Sequence, residues 1–138
     1  MPEARSTILL VEVDDNLRRL FAIALTLHGY GSCEARNGVE ALAILERHAF
    51  DAVVLDLVLP DIDGASIRQE IAAHAGTGFP VIILTDRREP LDHLNPACVL
   101  HKPVTPGDVV TAVRRCIEAS HASAVSDKHL SAKHRRLL

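Results

Sequence analysis

Apolar positions along this chain recur with two alternating periods, one suited to strands and one to helices, and that alternation marks an α/β fold. Thr7–Val13 is a short continuous run rich in Ile, Leu and Val, which predicts a strand buried on both faces of a parallel sheet. Leu17, Leu20, Phe21, Ala24, Leu25 and Leu27 then recur at helical spacing, and Gly29 stops that helix at the position past its cap. A weaker strand is expected near Tyr30–Ala35. Asn37 and Glu40 resemble a capping box that opens a helix through about His48. Asp51–Leu57 is a second strong strand, ending in Pro60 and a turn at Asp61–Gly64. A third helix is expected over Ala65–His74, closed by the Gly76-Thr77-Gly78 loop. Pro80–Thr85 reads as another buried strand and Ala97–Leu100 as a short final one. Thr105 as N-cap, Pro106 at the first helical position and Asp108 in the first turn start a last helix. Its inner face is Val109, Val110, Val113, Cys116 and Ile117.

Five strands alternating with helices fill the chain to about Ser120. This predicts one domain over residues 1–120, a doubly wound parallel sheet, with a tail at 121–138. Right-handed crossovers put helices on both faces of such a sheet, and ligands bind beyond the carboxyl ends of the strands. The residues just past the strands are Glu12-Val13-Asp14-Asp15, Asp56, Thr85-Asp86 and His101-Lys102. Acids, a hydroxyl and a lysine therefore converge on one rim.

Composition narrows what that rim can serve. Aromatics are 3% of the chain, with three Phe, one Tyr and no Trp, which counts against base-stacking platforms and aromatic cages. The net charge of −3 gives no basic footprint for nucleic acid. No apolar run approaches the ~20 residues of a membrane span, and residues 1–7 carry no signal-peptide pattern, so a cytoplasmic location is expected. Cys33, Cys98 and Cys116 are odd in number, far apart and free of a Cys-x-x-Cys pair, which argues for buried thiols and not for a disulfide framework or zinc knuckle. The eight His are scattered, without a ligand pair at helical spacing, and read as surface residues.

Clustered carboxylates repel one another, and a divalent cation or a lysine relieves the repulsion. A lysine and a hydroxyl beside them suit a phosphoryl group. The simplest chemistry is a carboxylate nucleophile attacking phosphorus while Mg²⁺ and Lys⁺ absorb the developing charge. Asp56, at the end of the central strand, is best placed to be that nucleophile. Asp14, Asp15, Asp61 and Asp63 are each read individually as helix caps or solvated loop acids. A flavin-phosphate loop does not fit, since the loop after the first strand is acidic. An Asp-x-Asp phosphatase does not fit either, since Val58 stands where the second acid belongs.

Four segments carry a specific resemblance: Ile8-Leu9-Leu10-Val11-Glu12, Asp56-Leu57-Val58-Leu59-Pro60-Asp61-Ile62-Asp63-Gly64, Val81-Ile82-Ile83-Leu84-Thr85 and Lys102-Pro103. In this order, over about residues 6–118, the chain resembles a response-regulator receiver domain of two-component signalling. The resemblance implies a flavodoxin-like five-stranded sheet of order 2-1-3-4-5. It implies that Asp56 accepts a phosphoryl group from the phosphohistidine of a histidine kinase or phosphotransfer protein, with Thr85 and Lys102 contacting the phosphoryl oxygens. Glu12, Asp56 and the Val58 backbone carbonyl would hold Mg²⁺, and the Lys102–Pro103 bond would be cis. Such a domain catalyses only its own phosphotransfer and dephosphorylation, is not otherwise an enzyme, and signals to a downstream protein target.

The chain departs from the family at four places. Val13 stands where the second acid after the first strand is usual, so Mg²⁺ binding is expected to weaken unless Asp14 swings in through a local bulge. Asp86 follows Thr85 where a small residue is general; its charge opposes a phosphoryl group only if it points inward. Val99 replaces the aromatic that often moves with the switch threonine, so Thr85 and Val99 cannot couple in the familiar way. The stretch Asp86–Pro96, with five charges and two prolines, is shorter than in familiar receivers, and the fourth helix is expected to be one turn or absent.

The tail carries +3 and the remaining 120 residues −6. Eighteen residues are too few for an effector domain. The expectation is a flexible basic extension, with a short basic helix bearing Leu130 and Leu137 on one face as the alternative. The leading reading is a stand-alone receiver with no membrane or direct DNA binding, homodimerisation being left open. Its rival is a pseudo-receiver that binds without phosphate; a small hydrolase is a third class.

Overall fold

The computed structural model describes residues 5–75 and 80–136. Five strands, β1 (Thr7–Val11), β2 (Gly31–Ala35), β3 (Ala52–Asp56), β4 (Val81–Thr85) and β5 (Cys98–His101), pair in the order β2-β1-β3-β4-β5. All four pairings are parallel. The doubly wound sheet is as the sequence pattern predicts, and its order is the one the resemblance implies. β1, β3 and β4 are apolar at almost every position because both faces are covered.

Alternate strand residues point to opposite faces and build two cores. Ile8, Leu10, Val54, Ile82 and Leu84 pack with Phe21, Ala22 and Leu25 of α1 (Asp15–Leu27) and with Val109, Val113, Cys116 and Ile117 of α4 (Pro106–Arg136). Leu9, Val11, Val53, Leu55 and Ile83 pack with Ala41 and Leu45 of α2 (Gly38–Arg47) and Ile67 and Ile71 of α3 (Gly64–Ala75). The helix starts follow capping chemistry. Asp14 Oδ1 accepts the Asn16 and Leu17 amide hydrogens at 2.9 and 3.0 Å, and Asn37 Oδ1 accepts that of Glu40 at 2.8 Å. Glu40 itself pairs with Arg36 at 3.4 Å. Gly29, just past the α1 cap, has φ +90°, the left-handed backbone its position requires.

Between β4 and β5 the only helical element among the described residues is a 3-10 turn at Asp92–Leu94, so the fourth helix is reduced to a single turn. Leu91 and Leu94 of this connection are buried against the second core, supplying the cover a helix would otherwise give. Asn95 leaves the turn at φ +50°.

The last helix differs from expectation. Its backbone continues from Pro106 to Arg136, so residues 121–136 are helical where a flexible extension is expected beyond Ser120. No Gly or Pro follows Gly107, and Ala, Lys, Arg and Leu recur through the segment, all strong helix formers. Leu137 and the Gly76-Thr77-Gly78 loop lie outside the described residues. Of the thiols, Cys116 is buried, whereas Cys33 and Cys98 are only partly covered. His28, His48, His93, His101 and His121 are exposed.

Candidate functional site

The parallel ladder brings the carboxyl ends of β1, β3, β4 and β5 to one edge. Asp56, last residue of β3, pairs across to Leu84, and Thr85, last of β4, pairs to His101. The ladder runs one step further, the Lys102 amide donating to the Thr85 carbonyl at 2.8 Å. This fixes where the Lys102 side chain begins. The Lys102–Pro103 peptide is cis, as the resemblance implies.

Asp56 is fully buried, yet each of its carboxylate oxygens has a donor. Oδ1 accepts the Val58 amide hydrogen at 3.0 Å, and Oδ2 accepts a hydrogen from Lys102 Nζ at 3.0 Å. The ammonium remains partly exposed while the carboxylate is closed off, so the charge on Asp56 is balanced from the rim side.

Glu12 is 2% exposed and its carboxyl lies beside that of Asp56. Burial, reinforced by the Asp56 carboxylate beside it, pushes the Glu12 carboxyl up to about 8; Lys102 and the Val13 amide, which donates to Oε2 at 2.9 Å, pull the other way. Two adjacent buried carboxyl groups therefore require either a shared proton or a cation. That is a donor set a hard divalent ion accepts, since Mg²⁺ is commonly held by one or two carboxylates with water completing the shell. Nothing in the neighbouring loop adds to it. Val13 is 45% exposed, and the Asp14 carboxylate is engaged in capping α1. Among the described residues no three His, Cys, Asp or Glu side chains converge as a metal cluster.

The other sequence-selected residues divide as follows. Thr85 is fully buried at the end of β4, with its Oγ1 accepting the Arg87 amide hydrogen at 2.9 Å. Val58 contributes its N–H to Asp56, while its side chain is exposed. Val99 pairs with Ile83 and packs, half-buried, on the second core. Asp86 points to solvent, so its charge is kept out of the buried site. The structure thus brings Glu12, Asp56 and Lys102 together, sets Thr85 beside them, and leaves Asp14 and Val99 outside the cluster.

Two supporting residues escape a reading based on charge. Arg18 is 6% exposed and spans the acidic loop: Nη1 donates to the Glu12 carbonyl at 2.9 Å, Nη2 to Asp15 at 2.7 Å and Nε to Glu34 at 3.2 Å. It holds the backbone that carries Glu12. Its signal lies in the spacing, since Arg18, Phe21, Ala22 and Leu25 share the buried face of α1. Asp61 crosses to cap α2, both carboxylate oxygens accepting amide hydrogens, from Gly38 and Val39, at 2.9 Å. Those bonds hold its carboxyl below the usual range. Gly38 is required here, because a Cβ would meet Ile62 at 2.8 Å. Asp61 is thus a cap, one of the two roles its residue type suggests, but for a helix remote in sequence.

Comparisons agree with this geometry. The family model of the response regulator receiver domain matches residues 8–114. The chain is 38% identical over 85 residues to the "Probable transcriptional regulator ycf27" of Cyanidium caldarium, covering 62% of this chain and 33% of that protein. It is 28% identical over 131 residues to the transcriptional regulatory protein SrrA of Staphylococcus aureus, covering 91% and 54%. It spans a third to about half the length of these curated relatives. The chemotaxis response regulator CheY4 of Vibrio cholerae shares the fold, with a TM-score of 0.75 at 22% identity over 82% of this chain and 99% of that one.

Proposed function

This chain belongs to the response-regulator receiver family of two-component systems, and on that premise we propose that Asp56 accepts a phosphoryl group from a histidine kinase or phosphotransfer protein and that the phosphorylated domain signals by contact with a downstream protein. The observation that carries this reading is the buried Asp56 carboxylate held between the Val58 N–H and the Lys102 ammonium at the end of the central strand. An Asp56 oxygen attacks phosphorus as the P–N bond of the donor phosphohistidine breaks, and the bonding electrons leave with the imidazole. Lys102, already within 3.0 Å of the carboxylate, offsets charge on the transferred group. Thr85, one strand away, donates its hydroxyl hydrogen to a phosphoryl oxygen while its Oγ1 accepts the Arg87 amide hydrogen. Glu12 and Asp56, with the Val58 carbonyl, would hold Mg²⁺, which supplies charge neutralisation when bound. Val13 leaves that site one acid short of the family pattern, so metal dependence is shallow. In this reading the chain is a signalling module and turns over no metabolite, and neither membrane association nor direct DNA contact is part of it.

The absence of a side-chain donor at Val13, together with the cap role of Asp14, favours one second reading, a pseudo-receiver that binds a protein partner without phosphate. The two separate on incubation with acetyl phosphate, with and without Mg²⁺, read by intact mass. One added phosphoryl group, absent in Asp56→Asn, is the expected result. No labelling by acetyl phosphate or by a kinase at any Mg²⁺ concentration overturns the phosphoacceptor reading and leaves the pseudo-receiver.

A further inference from the structure

Where receivers carry a full helix between the last two strands, this molecule has a cavity of about 310 Å³ between α3 and the Asp92–Leu94 turn. Its lining combines apolar groups (Ala65, Ala72 and Leu94) with the polar groups of Arg68, Gln69, His93 and Asn95. Arg68 is the unusual member. Its side chain lies 6% exposed on the buried side of α3, next to Ile67 and Ile71. Nε donates to the Leu94 carbonyl at 2.9 Å and Nη2 to the Asn95 carbonyl at 3.4 Å, so both acceptors are neutral. Nη1 is closed off from water and has no acceptor among the described residues. Nor does Arg68 make an ion pair among them; the acids near other arginines pair with Arg18, Arg19 and Arg36. Burial lowers the guanidinium from its ordinary value, with no acid acting against it.

A buried guanidinium without a counter-charge is costly, and Arg68 forms part of the cavity wall, where an anion would meet it. We propose that the α3 cavity is a binding site for a small carboxylate with a short apolar chain, its anionic head on Arg68 and its chain against Ala65, Ala72 and Leu94. One guanidinium, two of whose nitrogens are already committed, matches a monoanion better than a phosphate of charge about −1.5 to −2. The amide groups of Gln69 and Asn95 add neutral donors, and the apolar wall selects against fully hydrated ions. The site is separate from Asp56, so its failure leaves the phosphoacceptor reading untouched.

The test is a titration of the full chain with sodium butyrate at constant ionic strength, read by backbone amide shifts of Gln69, Leu94 and Asn95. Neutral butyramide and inorganic phosphate are the comparators. Saturable shifts at millimolar butyrate, absent with butyramide and weaker with phosphate, are expected. Ala72→Leu fills the cavity while keeping the guanidinium and should weaken apparent affinity by about tenfold or more. Arg68→Lys, which keeps the charge but loses the fork, should weaken it as well. Equal responses to butyrate and butyramide, tighter binding of phosphate, or an Ala72→Leu titration matching the parent would each overturn the proposal.

Discussion

Thr85 and Asp86 are neighbours in the chain, yet they belong to two regions assembled by different means. At the rim, Thr85 included, candidate positions are set by the parallel ladder: Asp56 opposite Leu84, Thr85 opposite His101, Lys102 one hydrogen bond further on. From Asp86 to Pro96 no ladder operates, and the connection is held by Leu91 and Leu94 sinking into the second core and by Arg68 gripping two carbonyls. Backbone pairing leaves side chains at the rim free to carry chemistry while fixing their origins. A connection held by side chains can lose a whole helix and still cover the sheet, provided a few apolar anchors and one bridging cation remain. The difference explains how the rim matches the family while the segment beside it does not.

The sharpest way to test that division is to remove a rim donor. Lys102→Met should slow labelling of Asp56 by acetyl phosphate about 100- to 1,000-fold, or ~3–4 kcal/mol on the barrier, because the ammonium that meets the carboxylate is lost. Rates from intact mass over time check this. A near-normal rate would mean that the ladder delivers Lys102 to a place where it does no chemistry.

The complementary break lies in the connection. Leu91→Ala should cost about 2–3 kcal/mol of stability, as buried leucine truncations do, measured by urea denaturation. The same variant, studied where it is folded, should label at Asp56 at the parent rate. If its labelling falls as far as that of Lys102→Met, the two regions are one unit and the contrast between them fails.

Legibility from the sequence follows the same line. Strand runs, the Gly29 stop, the Asn37 cap and the reduced connection could all be read because each depends on residues close together in the chain. So could Asp56, Thr85 and Lys102, since strand ends can be located from apolar runs. Arg18 and Arg68 were hidden by their charge, although both stand at apolar spacing on their helices, Arg18 with Phe21 and Leu25, Arg68 beside Ile67 and Ile71. Periodicity therefore carried the information that composition obscured. The Asp61 cap had no local signal at all, because its partners, Gly38 and Val39, lie on another element. Beyond Ser120 the charge of the segment points to a flexible extension, but charge says nothing of backbone propensity, and the backbone there is helical.

The last prediction probes the coupling between the regions through a proton. Folding raises the Glu12 carboxyl from its ordinary 4.5 to about 8, so between those values the folded chain holds a proton that the unfolded chain has released. Stability should then be greatest below about pH 4.5 as far as Glu12 is concerned, and fall as pH rises toward 8, by at most ~1.4 kcal/mol per pH unit. Above 8 both states are ionised and the contribution is gone. Glu12→Gln keeps the shape without the titration, so the difference in stability slope between parent and variant, measured by urea denaturation in metal-free buffer, isolates this group. The connection between β4 and β5 takes no part in that equilibrium, and mutations at independent sites add. Placed in a Leu91→Ala background, the Glu12 slope should therefore keep its size while the whole curve shifts down. A slope that shrinks in that background would show that the leucine anchors also hold the acid pair together, and the rim would then depend on packing as well as on its ladder.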